Sequence, residues 1–421
     1  MFDFLPSVSR RFRQYQCGNE SQSGWRFGFL SVMLLGPLIR HQTEDSKSGM
    51  DVRFIRHSAQ IRMSLTARHD FGEWRVELKP DEGTRNVKRV GVLGASGAVG
   101  EVMVRLLEQR AFPLASVKFL ASPRSAGKTI TFAGEKHPII AVSDKEFEGL
   151  DIILSSTPAS ISKETSPAAA RAGAVVIDNS SAWRMDPTVP LVVPEVNPQD
   201  IDWNKGIIAN PNCSTIQMVV ALKPIHDKYK IKRIVVSTYQ AVSGAGQKGM
   251  SELDAQTRAL IAGTPEPAPS KFAHPIAFNC VAQIDDFLDS GYTKEEMKMV
   301  YETRKIMGDP AIQVQPTCIR VPVVNSHSES ILIECERPIT PDDARALWSN
   351  SPGVCLQDDF RNRQYPDPRS ADGRDEVFVG RIRQDLGNPN AILFWCVSDN
   401  LRKGAALNAV QIAETLIARG L

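Results

Sequence analysis

Val87-Lys88-Arg89-Val90-Gly91-Val92-Leu93 runs directly into Gly94-Ala95-Ser96-Gly97-Ala98-Val99-Gly100. The first stretch is an apolar strand pattern. A helical period follows the second at Val99, Met103, Leu106 and Leu107. A glycine-rich turn between strand and helix lets the backbone approach a phosphate, and the helix start offers N–H donors and a positive dipole end. Gly94, Ser96, Gly97, Ala98, Val99 and Gly100 are therefore the candidate nucleotide cradle; the bland alternative is a tight turn with no ligand. Two further buried-strand patterns, at 151–156 and 174–179, alternate with a helical segment at 162–172. This rhythm predicts an α/β fold with a parallel, doubly wound sheet, a Rossmann domain. Ligands in such sheets sit at the carboxyl ends of strands, here at 155–158 and 179–184. Arg184, after Ser180-Ser181-Ala182-Trp183, is either an anion ligand there or a plain surface arginine.

The strand Val117-Lys118-Phe119-Leu120-Ala121 ends where dinucleotide sites read the ribose. NAD sites place an acid there. This chain has Ser122-Pro123-Arg124-Ser125-Ala126-Gly127-Lys128. An arginine between two hydroxyls suits a 2′-phosphate, so Ser122, Arg124 and Ser125 argue for NADP over NAD.

A second stretch, Asn210-Pro211-Asn212-Cys213-Ser214-Thr215, stands between an apolar segment at 206–209 and a helical run at 216–225. Pro211 sets a turn, and Cys213 falls at the first turn of a helix. Free N–H groups and the dipole there favour a thiolate, which is the nucleophilic form. The sequence thus predicts an activated cysteine ready to attack a carbonyl. The alternative is a small buried residue at a strand-to-helix turn.

Downstream, a strand reading at 231–240 ends in Gln240, placed to orient a substrate or base, and a small-residue loop with Ser243 and Gly244 follows. Tyr292-Thr293-Lys294-Glu295-Glu296-Met297-Lys298 starts a helix with acids in its first turn. Two apolar runs flank Asn325-Ser326-His327-Ser328-Glu329. Of seven histidines, His327 has the polar setting of a general acid/base; the alternative is a polar surface turn. Arg320 on the preceding strand presents a planar fork suited to a carboxylate. A final helix at 405–418 is placed to return to the first domain.

Two domains plus an extension fit 421 residues, and a net charge of +2 offers no argument for nucleic acid. Seven scattered cysteines show no metal spacing and suit a reducing, cytoplasmic setting with no metal. The apolar stretch at 27–39 is too short to span a bilayer. Residues 1–86 are Arg-rich and show no sustained period. Disorder, or an upstream stretch absent from the working protein, is favoured there over a secretory signal or transit peptide.

Taken together, GASGAVG from Gly94, LASPRSAGK from Leu120, VVIDNSSAWR from Val175, LVVPEVN from Leu191, PNCSTIQM from Pro211, STYQAVSGAG from Ser237, EEMKM from Glu295, RVPVVNSHSE from Arg320, FVGRIRQDL from Phe378 and SDNLRKGAALN from Ser398 resemble the aspartate-β-semialdehyde dehydrogenase family. The resemblance covers 87–421. It implies an NADP-binding Rossmann domain at 87–212 completed by 395–421, and an α/β catalytic and dimerisation domain at 213–394, in a homodimer or dimer-based tetramer. It implies reduction of aspartyl-4-phosphate to aspartate semialdehyde with release of phosphate. Cys213 is then the nucleophile, His327 the acid/base, and Gln240 positions the acyl group. Arg184, Asn212 and Lys298 resemble the phosphate ligands; Arg320 and Glu295 resemble the partners of the substrate's carboxylate and amine. Ser122, Arg124 and Ser125 match the 2′-phosphate readers, and Asn400 a residue near the nicotinamide, with Ser243 and Gly244 also on the cofactor side. Glu295 is preferred to Glu296 because it lies one turn before Lys298. Ser326 stands where the family often has glycine. The runner-up is a related acyl-phosphate reductase such as N-acetyl-γ-glutamyl-phosphate reductase, and the outsider is a silent NADP-binding or assembly protein.

Overall fold

The computed structural model describes residues 63–70, 73–80 and 87–420. Strands β1 (Met63–Asp70) and β2 (Glu73–Pro80) pair as an antiparallel hairpin, with Met63 opposite Pro80 and Asp70 opposite Glu73. The sequence reading found no strand period there, although Trp74, Val76 and Leu78 alternate with Arg75, Glu77 and Lys79; that short alternation is lost amid the surrounding arginines. The rest of the 1–86 expectation lies outside the described residues. The hairpin belongs to one of two units, and the other, residues 84–421, carries everything that follows.

In the second unit β3 (Lys88–Leu93) runs into the Gly94 turn, and α1 (Ala98–Gln109) leaves it. There follow β4 (Leu114–Ala121), β5 (Thr129–Phe132), β6 (Glu135–Ala141), β7 (Ile152–Ser155), α2 (Ala159–Arg171), β8 (Val175–Asp178) and β9 (Ile207–Ala209). Their spatial order is β5-β6-β4-β3-β7-β8-β9, parallel except for the β5 edge. Every residue of β7 and β8 is buried, as is expected of strands covered on both faces. The sheet is doubly wound, and its order reverses beside β3, which opens a crevice at the strand ends there.

A second layer begins with α3 (Cys213–Tyr229) and β10 (Ile231–Gln240). It continues through α4 (Gly246–Ala262), α5 (Lys294–Met307), β11 (Gln313–Arg320), β12 (His327–Cys335), α6 (Pro341–Trp348), β13 (Val354–Leu356), α7 (Pro368–Ala371), β14 (Val377–Gln384), β15 (Ala391–Ser398) and α8 (Leu407–Ala418). The six strands lie in the order β11-β10-β12-β15-β14-β13, with antiparallel and parallel pairs mixed. Ile216, Val219, Val220 and Leu222 of α3 pack with Val236, Ile331, Phe394 and Met299 into one core, so α3 is wedged between this sheet and α5.

The chain then returns. Leu407, Val410, Ile412 and Leu416 of α8 join the core of the first sheet beside Val90, Val92, Ile152 and Leu154. At about 1.5–3 kcal/mol for each fully buried side chain, this docking contributes roughly 6–12 kcal/mol before the entropy of ordering. The expected return of the C-terminal helix is thus present. β15 stays in the second sheet through Ser398, paired with His327, before the chain crosses back. No helix among the described residues is long and apolar enough to cross a membrane.

Candidate active site

A cleft of about 840 Å³ opens at the carboxyl ends of the first sheet's strands, closed on its far side by β10, α5 and the chain around Asn400. At its centre β9 ends, Pro211 turns the chain, and Cys213 becomes the first residue of α3. Asn212 caps that helix: its Oδ1 accepts the N–H groups of Ser214 and Thr215 at 3.0 and 3.2 Å. The sequence placed Cys213 correctly but not its charge. Burial, with Glu295 adding to it, pushes the thiol up to about 12; Arg320, Arg184 and the Ser214 N–H pull only part of the way back. These surroundings favour the thiol over the thiolate, against the expectation drawn from the helix start.

His327 begins β12 and is fully buried. Its Nδ1 accepts the Ala241 N–H at 3.0 Å. Burial, then the nearby Arg320 charge, lowers it to about 3, so the ring is neutral. A neutral ring that accepts at Nδ1 carries its hydrogen on Nε2, and Nε2 has no partner in the fold. His327 is thus poised as a donor. It is not among the residues lining the cleft; Gly244, which is, stands between, and a Cβ added at Gly244 would lie 3.2 Å from His327 Nε2 and 3.0 Å from an Arg320 nitrogen. Arg320 at the end of β11 donates through one nitrogen to the Ala241 carbonyl at 2.7 Å, while its Nε is buried and unpartnered.

Across the cleft α5 supplies Glu295, Lys298 and Glu302 from one face. Glu295 accepts from Asn212 at 2.8 Å, Gln240 at 3.2 Å and Lys298 at 3.0 Å. Burial would raise its carboxyl, but Lys298 and these amide donors outweigh it and hold it near 2. Lys298 also reaches Asp285 at 2.8 Å and is held charged above the ordinary lysine range, burial notwithstanding. Arg184 is buried: it donates to the carbonyls of Asn210 and Asn179 and to Glu302 at 3.0, 2.8 and 3.1 Å.

On the nucleotide side Gly94 has φ +84°, and a Cβ there would overlap the Ser156 carbonyl oxygen, so the turn demands glycine. The α1 start at Gly97 has no side-chain cap, and Gly97, Ala98 and Val99 line the cleft. The Gly97 N–H is spent on the Gly94 carbonyl at 3.0 Å, while the helix-start N–H groups of Ala98 and Val99 fit a phosphate. Ser96 donates to Ser125 at 3.2 Å; Ser122 and Arg124 are exposed beside it on the short turn Pro123–Ser125. Asn400 and Ser243 bond each other at 2.9 Å near the cleft's other end.

Residues 89–204 match the semialdehyde dehydrogenase NAD binding domain, and 222–403 the semialdehyde dehydrogenase dimerisation domain. The aspartate-semialdehyde dehydrogenase of Aquifex aeolicus (strain VF5) is 56% identical over 336 residues, 79% of this chain and 99% of that protein. The Bacillus subtilis (strain 168) enzyme of the same name is 51% identical over 334 residues, 78% of this chain and 96% of that one. The chain belongs to the aspartate-semialdehyde dehydrogenase family. A crystal structure of aspartate semialdehyde dehydrogenase II complexed with ASA from Vibrio cholerae superposes with TM-score 0.78 at 48% identity, covering 80% of this chain and 99% of that one. The Candida albicans aspartate semialdehyde dehydrogenase with NADP superposes with TM-score 0.61 at 28% identity, covering 79% and 99%.

Within this aspartate-semialdehyde dehydrogenase family fold, Glu295 and Glu296 face different surroundings. Glu296 closes a capping box with Thr293 and accepts the Cys318 N–H at 3.0 Å, so Glu295 alone of the two faces the cleft. Ser326 has φ +72°, a left-handed backbone that glycine would adopt with less strain. Three residues of the site were missed from sequence. Glu302 pairs with Arg184 and accepts the Asn212 N–H at 2.6 Å; its signal was a helical period, seven residues after Glu295. Lys305 donates to the carbonyls of Arg184, Asp186 and Val189 and so holds the Arg184 loop. Gly404 lies in a π-turn at Arg402–Ala406, where a Cβ would approach the Cys213 Cβ to 2.9 Å.

Proposed function

We propose that the chain reduces L-aspartyl-4-phosphate to L-aspartate-4-semialdehyde with NADPH, releasing phosphate, as a step in amino-acid biosynthesis. The carrying observation is the convergence on one cleft of Cys213, a neutral His327 behind Gly244, the unpartnered Arg320 Nε and the Glu295–Lys298 pair. The substrate has one phosphate, one carboxylate and one amine, and these groups complement it charge for charge. Arg184, Asn212 and Lys298 take the phosphate, Arg320 the α-carboxylate and Glu295 the α-amine. Gln240 steadies the acyl group.

Cys213 Sγ attacks the acyl carbon, the C–O bond to phosphate breaks, and the thiol hydrogen leaves with the phosphate. The product of this half is a thioester on Cys213. His327 Nε2–H hydrogen-bonds the acyl oxygen, and the Cys213 thiolate freed when the hydride arrives takes its proton from solvent, with His327 as the acid/base that relays it. NADPH, when bound, supplies the hydride. The Gly94 to Gly100 turn would hold its pyrophosphate, Ser122, Arg124 and Ser125 its 2′-phosphate, and Ser243, Gly244 and Asn400 the nicotinamide end. A cytoplasmic homodimer or dimer-based tetramer fits the matched dimerisation domain.

The test is reverse turnover: purified chain, aspartate semialdehyde, phosphate and NADP, followed by NADPH absorbance. Phosphate-dependent reduction of NADP well above that of NAD supports the reading. Activity only with an N-acetylglutamate semialdehyde moves the assignment to the related reductase.

A further inference from the structure

Beneath the catalytic residues lies a second tier of polar side chains that the chemistry above does not use. Alternate residues of β10, β11, β12 and β15 face α3. Gln240, Arg320, His327 and Ser398 end that face. Two residues back, Thr238 stands opposite Cys318 on one side and Glu329 on the other, and Glu329 opposite Cys396. All four are fully buried, as is Gln217, one turn after Cys213 on α3. Neither Glu329 oxygen and neither Gln217 amide atom has a hydrogen-bond partner.

The groups around Glu329 set its charge. Thr238 from β10 and Cys396 from β15 stand directly opposite it, Cys318 lies one strand beyond Thr238 on β11, and Gln217 faces it from α3, none of them a cation; along β12 its neighbour on this face is neutral His327. Burial drives the carboxyl well above its ordinary range, with only the Gln217 amide opposing. The Cys318 and Cys396 thiols are pushed up as well, by burial first.

Thr238 joins the two tiers. Its single hydroxyl hydrogen goes to Gln240 Oε1 at 3.1 Å, which fixes that amide with Nε2 toward Glu295 at 3.2 Å. An uncharged Glu329 leaves this hydrogen in place. A carboxylate directly across the strand pair would be the stronger acceptor and would draw it away. We propose that Glu329 is a positioning residue: held as the neutral acid, it leaves the Thr238 hydroxyl to Gln240, and when it ionises the Gln240 amide is released.

Only the turnover arm of the test rests on the proposed function; two spectroscopic arms do not. Infrared difference spectra of the wild type against Glu329→Gln should show a protonated-carboxyl band at neutral pH that vanishes on alkaline titration. The Gln240 side-chain amide NMR signals should move with that band in the wild type and stay put in Glu329→Gln. In turnover, Glu329→Gln should retain kcat within about threefold at neutral pH and extend the alkaline limb of its pH profile by about one unit or more. Thr238→Val should lower kcat about tenfold with KM nearly constant, and Thr238→Ser should restore it. Absence of the carboxyl band at neutral pH overturns the proposal. So does a Gln240 signal that ignores the titration, or an alkaline limb that Glu329→Gln leaves in place. A wild type inactive on every semialdehyde would sink the proposed function, while the two spectra would still decide the state of Glu329 and its hold on Gln240.

Discussion

Burial pushes the Cys213 thiol up, Glu295 pushes it further, and Arg320 and Arg184 pull back. Removing the Glu295 charge should therefore lower the thiol. One unit of pKa is about 1.4 kcal/mol, or about tenfold in thiolate at mildly alkaline pH. Glu295→Gln is expected to be alkylated by iodoacetamide at Cys213 several-fold faster than the wild type; an equal or slower rate would refute that role for Glu295. His327 makes the complementary prediction for stability. Its folded value, about 3, lies far below the ordinary 6.5. Between those values the unfolded chain binds a proton that the folded chain refuses, so stability is full above about pH 6.5 and falls on acidification. Urea unfolding at pH 6 and pH 5 should show His327→Asn losing about 1 kcal/mol less over that unit than the wild type. Glu295, also depressed, contributes with the same sign but only below about pH 4.5, outside this window.

At the scale of elements, α5 is the brace of the site. Glu295, Lys298 and Glu302 share one of its faces, while Thr293 and Glu296 cap its start. Glu302 and Arg184 are both buried, so deleting one leaves the other's polar groups stranded. Glu302→Ala is expected to cost about 3 kcal/mol or more in urea unfolding. Asp254→Ala, which breaks the exposed pair with Arg258, should cost well under about 1 kcal/mol; equal costs would show that the buried pair does no bracing. The elements that sequence revealed best were those whose burial is uniform. β3, β7 and β8 read as strands because both their faces are covered, and Cys213 was placed because Asn-Pro-Asn marks a turn and cap. By contrast, α4 begins Gly-Gln-Lys-Gly and buries only Gly249, Glu252, Leu253 and Gln256, so no apolar stripe announced it. The π-turn at Arg402–Ala406 is fixed by packing between two sheets, which no local pattern encodes. The charge of Cys213 was misread for the same reason: the dipole is local and legible, whereas burial and Glu295, eighty-two residues away in sequence, are not.

At the scale of the molecule, the C-terminal passage from β15 to α8 joins both sheets to the nucleophile. Lys403 is fully buried and donates to Glu195, Asn408 and Gln411 at 2.6, 2.9 and 2.7 Å, which anchors the turn on the nucleotide side. Asn400, three residues earlier, accepts the Ser326 N–H at 2.9 Å, next to His327. Gly404 then presses against Cys213, with room for no side chain: an added Cβ would sit 2.9 Å from the Cys213 Cβ and 3.4 Å from its Cα. Neither the Lys403 anchor nor the α3 core can yield easily, because interiors are close-packed. The displaced atom should be the Cys213 side chain itself. A shift of about 1 Å at a reacting atom costs up to about a hundredfold in rate. Gly404→Ala is therefore expected to lower kcat by about tenfold to a hundredfold while the chain stays folded and unfolds within a few degrees of the wild type. Gly387→Ala, whose added Cβ meets nothing nearer than 3.7 Å, is the control and should leave turnover alone. Full turnover in Gly404→Ala would mean that the turn gives way instead of the cysteine, and that the two sheets are less tightly coupled through Cys213 than their packing implies.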